Sequence, residues 1–119
     1  MSDNTPFPTI PPGALAIVRT VTATGTIYTV PAGRLLHIVM CFGAFDQGAG
    51  QGSGTITATP LGDASSRTLF AMFADANDIA NTSTHGYDVP IAAGQAITGT
   101  ITGAPTSARV GFIGWEEAA

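Results

Sequence analysis

Two histidines and a single cysteine are the residues of this 119-residue chain best suited to chemistry, and their spacing limits what that chemistry can be. His37 and Cys41 stand four apart in an apolar run, about 13 Å along a regular strand, too far to share a metal ion. They read as a core histidine and a buried thiol. His85 and Asp88 follow Ser83, the raw material of a hydrolytic triad, yet no serine sits in a Gly-x-Ser-x-Gly elbow. Ser53 lies in a glycine run, Gly50-Gln51-Gly52-Ser53-Gly54, that lacks the Lys-Ser/Thr of a phosphate loop. Asp75-Ala76-Asn77-Asp78-Ile79 opens like a calcium loop, but Ile79 takes a ligand position and the following Gly and distal Glu are missing. Glu116 and Glu117 are adjacent, so they make no glycosidase pair. The residues therefore assign no catalytic group, no metal and no cofactor.

Composition narrows the classes further. Alanine (19), threonine (17) and glycine (15) dominate, lysine is absent, and only 12 residues are charged, for a net charge of -4. A surface that neutralises phosphates needs clustered Lys and Arg, so nucleic acid is not an expected partner. No apolar run reaches the ~18 residues of a membrane span. Neither a basic n-region nor an apolar h-region opens the chain, and one cysteine closes no internal disulfide, so the expected compartment is the reducing cytosol or an assembly built in it.

The elements that must position these residues are strands. Short runs rich in Thr, Ile, Val and aromatics alternate with Gly, Pro, Asp and Asn, the signature of an all-β domain. Eight are expected: residues 14–22, 26–30, 35–42, 55–59, 68–74, 87–89, 95–102 and 107–115. Residues 63–80 are ambiguous between strand and a short helix capped by Asp63, and strand is favoured. Residues 47–54 and 75–86 are expected to be loops. In the second of these and just after it, Asp75, Asn77, Asp78, His85 and Tyr87 form a candidate binding loop. The first 13 residues form an extended arm in which Pro6, Pro8, Pro11 and Pro12 forbid helix; with Phe7 and Ile10 they offer a pre-extended strip to a neighbouring subunit.

Tyr28-Thr29-Val30-Pro31-Ala32-Gly33 recurs in loosened form as Tyr87-Asp88-Val89-Pro90-Ile91-Ala92-Ala93-Gly94. Two related turns and about eight strands suit two Greek-key halves, hence an antiparallel jelly-roll sandwich formed by residues 14–119. Two strands are apolar on both faces. Strict alternation puts Leu36, Ile38, Met40 and Phe42 together on one face of residues 35–42, and Ile113 and Trp115 on one face of residues 107–115. A sandwich buries one face per sheet, so the second apolar face needs a cover: a loop, the N-terminal arm or another subunit. With few surface charges to keep copies apart, another subunit is favoured at Leu36, Ile38, Met40, Ile113 and Trp115.

The runs Tyr28-Thr29-Val30-Pro31-Ala32-Gly33-Arg34-Leu35-Leu36, Ala93-Gly94-Gln95-Ala96-Ile97 and Arg109-Val110-Gly111-Phe112-Ile113-Gly114-Trp115-Glu116-Glu117 resemble those of small tailed-bacteriophage virion proteins of jelly-roll type, above all capsid decoration or cement proteins. More distantly they are similar to the trimeric jelly rolls of the tumour-necrosis-factor and C1q class. The resemblance covers residues 26–117 and rests on short motifs that tail-fibre head domains share. It implies a non-enzymatic homotrimer assembled in the host cytoplasm and seated on the capsid surface, with arms and loops on the major capsid protein; it supplies no contact residues. The alternative reading is a receptor- or glycan-binding tail-fibre head, with Tyr87 and Phe45 as its loop-side aromatics.

Overall fold

The computed structural model describes residues 12–46, 48–75, 80–105 and 107–119. Pro6, Phe7, Pro8, Ile10, Pro11, Asn77 and Asp78 lie outside the described residues, as do the side chains of His85 and Tyr87. Pro12 is exposed in a turn leading into the first strand, and Asp75 is exposed just after the fifth.

Eight strands follow in order: β1 (Leu15–Val21), β2 (Gly25–Thr29), β3 (Arg34–Phe45), β4 (Gly48–Ala58), β5 (Arg67–Ala74), β6 (Ala80–Ile91), β7 (Ala96–Pro105) and β8 (Ala108–Ala118). They form two four-stranded antiparallel sheets, β1-β8-β3-β6 and β2-β7-β4-β5. First pairs with last, second with seventh, third with sixth and fourth with fifth, as if one long hairpin had been wrapped into two layers. No helix forms among the described residues, which settles residues 67–74 as strand. The reason is period two: Phe70, Met72 and Ala74 are buried while Ala71 and Phe73 are exposed.

Two expected loops are strands instead. Residues 48–58 belong to β4 although four of residues 48–54 are glycine, and one of those glycines, Gly54, faces the opposite sheet at close range. A Cβ on Gly54 would meet Val110 Cγ1 at 2.8 Å and the Phe45 ring at 3.1 Å, so the bare backbone makes room for those two side chains. Residues 80–91 belong to β6, which places His85 and Tyr87 on a strand rather than in a loop. Phe45 is likewise no loop aromatic, since it is 1% exposed in the core.

The turns of the repeated motif match each other. Arg34 N–H donates to Pro31 O and Gln95 N–H to Ala92 O, with Gly33 (φ 76°) and Gly94 (φ 85°) at the third turn position, where only a residue tolerant of positive φ fits. Val30 N–H donates to Gln95 O and Gly94 N–H to Val30 O, so the second turn is stitched onto the end of β2.

One irregularity in β3 reassigns its faces. Its register against both β6 and β8 shifts between Ile38 and Met40, leaving Val39 as an extra residue. A slip of one residue inverts every side chain beyond it. Leu36 and Ile38, expected at a subunit interface, therefore face the core and are 0% exposed, and beyond the bulge Cys41 and Phe45 take over the inward positions. His37 and Cys41, expected on one face, lie on opposite ones. The core between the sheets joins these residues to Ile56, Phe70, Ile91, Ile97, Val110 and Phe112.

Candidate functional site

The outer faces of the two sheets differ in kind. Across β2-β7-β4-β5 the register aligns Thr26, Thr98, Thr57 and Thr68 in one row and Thr102, Ser53 and Phe73 in another, an uncharged hydroxyl face broken by Phe73 at 60% exposure. The outer face of β1-β8-β3-β6 is apolar at its centre. Ile113 on β8 stands between Val18 on β1 and Met40 on β3, while Trp115 stands between Ala16 and His37. Met40, Phe42, Ile113 and Trp115 are half-buried by their neighbours, and Val18 is 53% exposed. Of the five residues expected at an interface, Met40, Ile113 and Trp115 thus share this face; Leu36 and Ile38 do not.

His37 anchors one end of that face. Its imidazole stacks on the Trp115 indole with 3.8 Å between ring centroids and 9° between planes. Nδ1 lies 2.8 Å from an Asp88 carboxylate oxygen and Nε2 lies 2.7 Å from Glu117 Oε2. The ring donates to both carboxylates only as an imidazolium. Asp88–His37 has the form of the orienting half of a hydrolase triad, but the other ring nitrogen meets the Glu117 carboxylate where that triad has a hydroxyl or thiol. Among the described residues no group of three or more His, Cys, Asp or Glu could hold a metal ion. Asp88 pairs with His37 on β3, 51 residues away in the chain.

Behind the face, at the β1/β2 edge of the sandwich, Glu116 is buried at 2% exposure. The Tyr28 hydroxyl donates to Glu116 Oε2, Arg34 Nε donates to Oε1 at 3.4 Å and Arg34 Nη2 to the Glu116 carbonyl at 3.2 Å. The Arg19 guanidinium lies 5.3 Å from the Tyr28 ring centroid. Residues of β2 and β3 thereby converge on one carboxylate of β8, which fastens the two sheets together. Spacing alone read Glu116 and Glu117 only as an adjacent pair, yet continuing the alternation Val110, Phe112, Gly114 inward locates Glu116 inside. The Asp88–His37–Glu117 cluster left no such signal, because its members are 51 and 80 residues apart.

Burial first, then the hydrogen bond to Glu116 and its charge, pushes the Tyr28 phenol from its ordinary 10.0 up to about 12, against the opposing pull of Arg19 and Arg34. The unfolded chain releases this proton near the ordinary value and the native protein holds it to about 12, so the native state binds more protons across that window. Its contribution to stability is complete below the ordinary value and is lost as pH rises toward about 12. Urea midpoints measured across that window should fall, and Tyr28→Phe should flatten the fall.

Comparison with protein-family models, with curated proteins and with solved structures finds no match to this chain.

Proposed function

We propose that this protein is a non-enzymatic virion structural protein, a capsid decoration or cement protein that binds the outside of a phage head as a homo-oligomer. The observation that carries the reading is the apolar outer face of β1-β8-β3-β6, centred on Ile113, Met40 and Trp115, in a chain with few charges to keep copies apart. The strand order supports a jelly roll, the architecture the resemblance implies, since an eight-stranded hairpin wrapped into two four-stranded sheets has this pairing. The resemblance implies three copies, whereas the charge pattern of the face itself favours a twofold pair.

Decoration works by mass action. A protein that binds assembled capsid subunits but not dissociated ones stabilises the shell, and several weak contacts on one oligomer add as avidity. The proline-rich residues 1–12 are the segment proposed to reach the major capsid protein. Mixed with undecorated heads, the protein should co-sediment and raise their melting temperature; deleting residues 1–12 should weaken binding while the oligomer persists. Absence of co-sedimentation at saturating protein sinks the proposal.

A further inference from the structure

The outer face of β1-β8-β3-β6 carries a charge pattern that matches its own reverse. Outward positions on β8 run Arg109, Gly111, Ile113, Trp115 and Glu117, with Ile113 midway between one basic and one acidic residue. Arg109 is exposed, and Asp46 lines the same shallow depression. At the other end Glu117 and Asp88 stand on either side of His37.

We infer that two copies of this chain pair face to face through this sheet about a twofold axis that runs across the strands at the level of Ile113. This rests on the reading of the face as the oligomer contact and names the partner, the symmetry and the register. An axis in that position reverses strand direction but leaves β8 over β8 and β3 over β3. Ile113, Met40 and Val18, one row of the sheet, then meet their own counterparts. The next row places the Trp115–His37 stack against the Phe42 ring, which lies across Gly111 at 2.9 Å from where a Cβ would stand. One row further, Glu117 meets Arg109. Along β8 and β3 the pairing sets apolar groups together at the centre and acid against base at both ends, whereas a parallel pairing would set like charges together at both ends.

The area is adequate. Strands of 11 and 12 residues across four positions give a face of ~37 by ~15 Å, and two such faces bury ~1,100 Å², the lower range of specific interfaces. The pairing is therefore expected to be reversible and to depend on its charged ends.

Sedimentation equilibrium on the full chain tests this. The expected mass is twice the 12.0 kDa chain. Arg109→Glu and Glu117→Arg should each weaken dimerisation about 10-fold or more, and the double variant should recover most of the loss, because only reversed strands bring the two positions together. Ile113→Cys, oxidised with copper phenanthroline, should cross-link to itself, with the buried native Cys41 as the silent control; Arg109→Cys should cross-link to Glu117→Cys and not to itself. A monomeric or trimeric mass, no rescue in the double variant, or self-linking of Arg109→Cys overturns the twofold. Circular dichroism confirms that each variant is folded. A dimer that ignores capsids would instead overturn the decoration reading and leave the pairing intact.

Discussion

Glu116→Ala is expected to destabilise the protein by roughly 2–4 kcal/mol, read as a fall in the urea midpoint with an unchanged slope. Removing one member of a buried ion pair strands its partners, and such losses typically reach ~3–5 kcal/mol. Arg34 keeps 26% of its side chain in water, which places this case at the lower end of that range. The Tyr28 hydroxyl loses its acceptor inside the sandwich, while the Arg34 bond to the Glu116 carbonyl survives because it is made to backbone. Glu116→Gln should recover part of the loss, since an amide oxygen still accepts from Tyr28 but carries no charge for Arg34. If Glu116→Ala and Tyr28→Phe prove additive, the two side chains are not coupled as the geometry requires.

Phe112→Ala should cost about 3–5 kcal/mol, the usual range for emptying a buried aromatic site. Phe112 is 0% exposed, its ring centroid lies 6.1 Å from that of Tyr28, and its strand is paired on both edges, to β1 and β3. The cavity has little chance of collapsing, because Cys41 and Arg19, its register partners, are fixed by their own ladders. Trp115→Ala, three residues away on the other face, should leave monomer stability far less affected and act mainly on association. Equal losses in the two variants would mean that Trp115 is part of the monomer core.

Much of the architecture is legible in the residues. Strand runs and their punctuation by Gly, Pro and Asn identify eight strands and their approximate positions, since β-branched residues and turn formers act locally. The repeated Val-Pro…Gly step is legible as a pair of turns for the same reason, and the positive φ at Gly33 and Gly94 accounts for its glycines. Less legible is any strand whose signal depends on what lies opposite. The glycines of β4 read as loop because glycine carries no pattern of its own; only Phe45 and Val110, arriving from the other sheet, make its bare backbone a fit. β6 read as a polar loop because Asn81, Thr82, Ser83 and Thr84 face solvent on a sheet edge, where polar side chains are not selected against.

What the sequence by itself determined about this protein is its class: an all-β chain, poor in charge, with two segments too apolar for one buried face each. Alternation is a local property, so it follows from residue order. Which side chains meet on the open face was decided by tertiary structure alone, at one extra residue in β3. Val39 is accommodated only because β3 pairs with β6 on one side and β8 on the other, and the resulting slip sends Leu36 and Ile38 inward and leaves His37 outside beside Trp115. The same long-range pairing brings Asp88 and Glu117 to one imidazole and seats Glu116 between Arg34 and Tyr28. No local pattern encodes those contacts, because their free energy comes from burial and hydrogen bonds between strands far apart in the chain.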